Sequence, residues 1–343
     1  MIHLKSSLIA GLQAKTPSAD AVIAALRQAV KLEHATIPVY LYALYSLDEQ
    51  KNAAIAAILQ SVVVEEMLHM TLASNVLAAL DGPSPVGDPA FVPTYPGPLP
   101  GGVEAQLTVS LAPCSPAQLA AFLIIEQPED PLHFKSVPLT EPDTITIGEF
   151  YAAISRALGE LPASAFDPSG KRQVGPDLMD GAVVVTDCAS AQAALQIIVE
   201  QGEGTATSPE EVDGTRLAHY YRFLQIQKGR ALVPDAAGGW AYAGPPIVFD
   251  PTGVAGVPRD PDQPPYPPGS AEAFANDTFN YTYTSLLFAL RDLFSGQNTS
   301  AQLNRSIGLM MSLKGQAKAM MAGIPNPAVL TGPSFEYRPT PAA

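Results

Sequence analysis

The sequence predicts a mainly α fold: a four-helix bundle with a long insertion between its second and third helices and an extra helical hairpin at the C-terminus. Three observations predict it. Two long stretches, 23–44 and 55–80, repeat apolar residues at steps of three and four, the spacing of one helix face. Both stripes are interrupted by acids or a histidine at inward positions. A second pair of helical stretches with inward acid and histidine follows only after residue 187, and a third, apolar pair closes the chain.

The first stripe is Ile23, Leu26, Val30, Glu33, Ile37, Leu41 and Leu44; the second is Ile55, Leu59, Val62, Glu66, His69, Ala73, Val76 and Leu80. The apolar pattern lapses at Asp48-Glu49-Gln50-Lys51-Asn52, which marks the turn. Glu33 and Glu66 are about equally far from it, so an antiparallel hairpin brings them to one height. Glu66-Met67-Leu68-His69 is an E-x-x-H motif, whose spacing sets carboxylate and imidazole side by side. A buried carboxylate pays a heavy desolvation cost unless a metal ion, an opposite charge or protonation relieves it. Glu65 is expected to point elsewhere. Pro38 should kink the first helix about a turn beyond Glu33 and either be a tolerated bend or open space beside the metal.

The second hairpin is expected from a helix over Ala189–Glu203 and another starting near Ser208-Pro209-Glu210-Glu211, with the stripe Val212, His219, Phe223 and Ile226. Glu200 and His219 would meet at one height, with Glu203, a turn nearer the loop, as an alternative or additional ligand. Arg216-Leu217-Ala218-His219 lacks the glutamate that a regular bundle would carry there. The candidate metal ligands are therefore Glu33, Glu66, His69, Glu200, Glu203 and His219. Carboxylate and imidazole without thiolate suit a pair of iron ions or manganese, and the same atoms accept zinc. Tyr40, Tyr42 and Tyr220 are candidate lining residues.

The blocks Leu32-Glu33-His34-Ala35-Thr36-Ile37-Pro38-Val39-Tyr40, Val64-Glu65-Glu66-Met67-Leu68-His69-Met70, Glu200-Gln201-Gly202-Glu203-Gly204 and His219-Tyr220-Tyr221-Arg222-Phe223 resemble the ferritin-like domain family named after iminophenyl-pyruvate dimer synthase. The resemblance covers residues 18 to 230. It implies a ferritin-like bundle with a carboxylate–histidine metal centre. That domain also occurs within larger enzymes that couple two indole-pyruvate imines, so the resemblance further implies an imine dimer synthase-like step in secondary metabolism.

The remaining chain is read from composition and punctuation. Residues 1–230 are expected to form the metal-binding bundle, with the insertion over 81–187. Within it, Pro83 to Pro100 should cross the bundle surface as an extended segment, Gln106 to Ser110 is a possible strand, and helices are expected from Ser115-Pro116 to Ile125 and from Ile147 to Leu158. Glu126 and His133 lie in this insertion and are candidates to reach metal or substrate. Residues 231–270 read as a proline-rich wrapping arm, and 271–343 as a helical hairpin over 271–294 and 300–321 that packs on the bundle or forms a homo-oligomer contact.

With 343 residues and 47% hydrophobic content the chain can bury a substantial core. A net charge of −14 without a basic cluster argues against nucleic acid and anionic membranes as partners. No apolar run approaches the roughly 20 residues of a membrane span, and the first residues lack a signal peptide, so the expected location is the cytoplasm. Cys114 and Cys188 are expected as packing residues. Three functions fit: a metal-dependent oxidoreductase acting on a small organic molecule, an iron-handling protein, or a degenerate bundle whose acids are satisfied by Arg216, Arg222 or protonation.

Overall fold

The computed structural model describes residues 3–102, 107–128, 144–204, 208–210, 216–324 and 326–340. His133, Glu211, Val212 and the Glu203 side chain lie outside the described residues.

Helix α1 (Ala19–Tyr45) begins where the Ser18 hydroxyl accepts the Ala21 amide at 3.2 Å, with Asp20 in the first turn, where the helix dipole favours an acid. Helix α2 (Ala53–Ala79) returns antiparallel after the predicted polar turn. Its stripe from Ile55 to Leu80 is buried throughout, including Glu66 and His69. By length and composition α2 is apolar enough to cross a membrane, yet most of its apolar residues are buried inside the fold, and it carries three buried ionisable groups, Glu65, Glu66 and His69. Pro38 stays inside α1 rather than ending it, and it lines a cavity shared with His34 and not the pocket at Glu33. The space beside Pro38 therefore does not adjoin the acids.

The insertion is laid across α1. Arg27 donates to the Pro83 carbonyl at 2.9 Å, Lys31 to that of Ala90 at 3.1 Å, and the Tyr95 hydroxyl to that of Ala35 at 2.6 Å. The possible strand at 106–110 is corrected: Gln106 lies outside the described residues, and Val109 makes only an isolated bridge to Gly97. Pro96 and Pro98 flank that glycine and cannot donate to a longer ladder. Helix α3 (Pro116–Ile125) starts as predicted, the Ser115 hydroxyl accepting the Gln118 amide at 3.1 Å. Strand β1 (His3–Lys5) pairs antiparallel with β2 (Thr144–Thr146), Leu4 opposite Ile145, and a Thr146–Glu149 capping box turns β2 directly into α4 (Ile147–Gly159).

Helix α5 (Cys188–Glu203) is opened by Asp187, which accepts the Ser190 amide at 2.8 Å. Helix α6 (His219–Lys228) starts later than the Ser208-Pro209 signal predicts. Glu210 instead bridges to Leu217, and the chain enters the helix at His219. Gly229 ends α6 at φ +68°, a left-handed conformation that costs glycine nothing, and its amide returns to the Gln225 carbonyl.

The arm after α6 forms a short β3 (Val233–Pro234) and β4 (Trp240–Ala241) hairpin and then straps the α1–α2 turn. Buried Asn52 donates to the Asp250 and Gly253 carbonyls at 3.0 and 3.2 Å and accepts the Asp250 amide at 2.9 Å. Helices α7 (Ala271–Phe294) and α8 (Ser300–Met321) form the C-terminal hairpin, capped by Ser270 and Thr299. It sits against the α1–α2 pair, with Tyr283 bonded to His34 and the Lys318 ammonium donating to the Leu47 carbonyl at 2.6 Å. One apolar core joins the helices, through Leu26, Val62, Phe150, Leu195, Phe223 and Leu287, and the β3–β4 hairpin packs on a second, smaller cluster with Tyr220, Tyr221 and Leu232.

Candidate metal centre

Four of the six sequence-predicted ligands meet in the bundle. Glu33 on α1, Glu66 and His69 on α2 and His219 at the start of α6 are all buried. The equal-height argument holds for the first hairpin: Glu33 Oε2 lies 3.4 Å from His69 Nδ1, and Thr36 of α1 donates to Glu66 Oε2 at 3.1 Å. His69 and His219 stack with centroids 5.3 Å apart. One ligand atom each from Glu66, His69 and His219 fall within 4.8 Å of one another.

Glu200 is not brought in. Its carboxylate accepts from Gln196, one turn back on the exposed face of α5. Glu200 and His219 do not meet because α6 begins at His219 instead of near 208, so the two helices do not form a symmetric hairpin around their loop. Glu126, the residue that ends α3, supplies a third carboxylate: its Oε2 lies 3.5 Å from His219 Nδ1.

Each of the three inner carboxylates is oriented by a hydroxyl. Tyr151 of α4 donates to Glu33, Thr36 to Glu66 and Tyr40 to Glu126. Of the predicted lining tyrosines only Tyr40 serves the site. The Tyr42 hydroxyl donates to the Pro258 carbonyl at 2.7 Å, and Tyr220 packs edge-on against Tyr221 in a separate small cluster.

The two imidazoles are held in the same way. His69 Nε2 faces Gln201 Oε1 at 2.9 Å, an oxygen that accepts its N–H and leaves Nδ1 turned toward Glu33 and Glu66. His219 Nε2 faces Glu65 Oε2 at 3.0 Å. Glu65, expected to point elsewhere, is buried and takes the guanidiniums of Arg216 and Arg222, each at 2.7 Å. Burial alone would raise its carboxyl, but His219 and Arg222 outweigh it and hold it down to about 2. A firmly ionised Glu65 fixes the His219 tautomer with Nε2 protonated, the outer-carboxylate arrangement of metal-bound histidines.

His219 Nδ1 then faces Glu66 Oε1 at 3.0 Å and Glu126 Oε2 at 3.5 Å, yet no hydrogen bond of adequate alignment satisfies it. A lone pair cannot rest against two carboxylates without a cation or a proton between them. Burial disfavours the imidazolium, but the three surrounding carboxylates prevail and raise the pKa of His219 well above the usual range. Glu66 is pushed up to about 7 by burial and the Glu126 charge, against the opposing pull of His219. The donor set therefore fits a metal: a cation would take the place of protons that this cluster otherwise has to hold. Glu33, Glu66, Glu126, His69 and His219 are the residues that could ligate it. Beside them lies a cavity of about 60 Å³, walled by Leu32, Leu99, Ile125, Ile147 and Ile198.

A ferritin-like family model matches residues 26–228, the span that carries every one of these groups. The chain belongs to the ferritin-like family. It is 24% identical to dichlorochromopyrrolate synthase of Lentzea aerocolonigenes over 94% of this chain and 36% of that protein. It is 28% identical to 2-imino-3-(indol-3-yl)propanoate dimerase of Chromobacterium violaceum over 63% of this chain and 24% of that protein. This ferritin-like chain thus spans well under half the length of either relative. A ferritin like protein from Caulobacter vibrioides shares the fold with a TM-score of 0.59 at 21% identity, over 95% of this chain and 100% of that one.

Proposed function

We propose that this protein is a metal-dependent oxidoreductase whose buried carboxylate–histidine centre holds a pair of iron ions and oxidises a small organic molecule. The observation that carries the proposal is the paired histidine geometry: both imidazoles set Nε2 against an outer acceptor, Gln201 or Glu65, and both turn Nδ1 toward the carboxylates of Glu33, Glu66 and Glu126. The relatives' names supply the first substrate class to test, an aromatic imine of a 2-oxo acid, coupled in a dimer synthase-like step of secondary metabolism.

Iron bound by these oxygen and nitrogen donors supplies redox chemistry, with dioxygen as the acceptor of the two electrons and two protons that oxidative coupling of two such imines releases. The chain's own residues do the rest. Tyr151, Thr36 and Tyr40 fix the rotation of the three carboxylates, so little reorganisation is left for the moment of reaction. Arg216 and Arg222 keep Glu65 charged, which keeps His219 in one tautomer. Leu32, Ile125 and Ile198 exclude bulk water from the adjoining cavity.

A second reading places one zinc on Glu66, His69 and His219, favoured by the close convergence of these three among the described residues. Anaerobic loading with ferrous iron, followed by oxygen uptake with indole-3-pyruvate and ammonia, separates the two. The oxidoreductase reading expects uptake that substrate stimulates and Glu66→Ala abolishes. Uptake indifferent to substrate, or equal in the variant, would contradict it.

A further inference from the structure

A cavity of about 210 Å³ lies on the other side of the α1–α2 pair, between these helices and the α7–α8 hairpin. Its wall is apolar, built from residues such as Ile37, Val63, Met67, Leu287, Met310 and Phe335. Apolar cavities of about 150 Å³ stay dry and take up benzene, so this one has room for a ring or a small bicycle.

One polar side chain breaks the apolar lining from deep inside. His34 is 3% exposed, and its Nε2 lies 2.8 Å from the Tyr283 hydroxyl. Its Nδ1 is buried with no hydrogen-bond partner among the described residues. The tautomer follows from the phenol. The Tyr283 hydroxyl has a proton to place, and Nε2 is the acceptor it meets, so the neutral imidazole carries its own proton on Nδ1. A buried N–H without an acceptor is costly and rare in native proteins. Here it belongs to a residue that lines this apolar cavity. Lys314 at the rim is engaged with Glu49 at 3.1 Å, so the cavity offers no free charge for an ionic ligand.

We propose that this cavity binds an uncharged apolar molecule of one or two rings that presents a carbonyl oxygen to His34 Nδ1–H. The site shares helices with the metal centre but none of its ligands, and it stands independently of the function proposed above.

The chain's own methionines report on it. Of eight in the sequence, Met67, Met70, Met310 and Met311 line the cavity. Protein labelled with ¹³C at the methionine methyls is titrated with 1-indanone and with indane, its analogue without the carbonyl, in both chelator-treated and iron-loaded samples. The proposal expects saturable shifts at those four methyls in both samples, with indanone bound about ten-fold more tightly than indane. The preference should vanish in His34→Phe, and Leu287→Trp, which fills the cavity, should abolish both responses. Equal affinities for the two probes in the wild-type protein would overturn the proposal even if the variants fail to fold. So would the absence of saturable shifts, or shifts of Met310 and Met311 that follow protein concentration alone, which would assign this face to a contact between two copies.

Discussion

His219 is gripped from both sides: Glu65 fixes its outer nitrogen, and Glu66 and Glu126 face its inner one. Glu65→Gln should therefore lower metal affinity about 10- to 100-fold, measured by competition with a chromophoric chelator, although it removes no inner ligand. Unchanged affinity would show that the outer carboxylate does not matter. The two insertion and α5 acids separate just as cleanly. Glu126→Gln should reduce bound metal, whereas Glu200→Gln, on the exposed face beside Gln196, should leave it unaltered; the reverse result would restore the symmetric hairpin. Glu126 has no sequence partner in register, so only the packing of α3 against α6 shows its role. Tyr151 was invisible for the same reason, being one aromatic in an amphipathic helix. Glu65 left a trace in the Glu65-Glu66 doublet and in Arg216 and Arg222, two basic residues beside an expected ligand. His34 gives a pH signature of its own. Burial lowers it from 6.5 to about 3, so the fold favours the neutral ring. Its contribution to stability is complete above pH 6.5 and is lost progressively as pH falls toward 3. Urea midpoints across that range should fall less steeply in His34→Phe than in the parent, and parallel slopes would refute this.

Among the elements, the first hairpin was the most legible. Its stripes, polar turn and acid spacing are all local, and Glu33, Glu66 and His69 meet as the spacing requires. Helix α3 begins at its Ser115 signal, and α7 and α8 begin where their ranges predict, each held by a cap, Ser270 or Thr299, that acts within one turn. Helix α6 was misplaced because the Ser208-Pro209-Glu210 signal is equally local, while the chain there is used to bridge Glu210 to Leu217. That later start is what detaches Glu200 from His219. The arm makes its own prediction at this scale. Asn52→Ala would leave the Asp250 amide and two carbonyls without their partner, which should cost about 1–3 kcal/mol in chemical denaturation. A loss under a few tenths would mean that the strap contributes little.

Over the whole molecule, the site is a product of assembly. Its candidate ligands come from α1, α2, the end of α3 and the start of α6, and its orienting hydroxyls from α1 and α4. The same core holds these elements in place, so Phe223→Ala, which empties the aromatic cluster with Tyr40 and Phe122, should cost about 3–5 kcal/mol and loosen the Tyr40–Glu126 contact with it. The bundle, and four of the residues that converge in it, were readable because buried charge in an apolar stripe is conspicuous. Glu126 was one of two isolated candidates in the insertion, and only the fold sets it beside His219. The most direct test of the dinuclear centre is metal content per chain after expression with iron, for the parent beside Glu66→Ala. About two irons per chain, lost in the variant, is the result this account predicts. One tightly held zinc, or no metal in either protein, would contradict it.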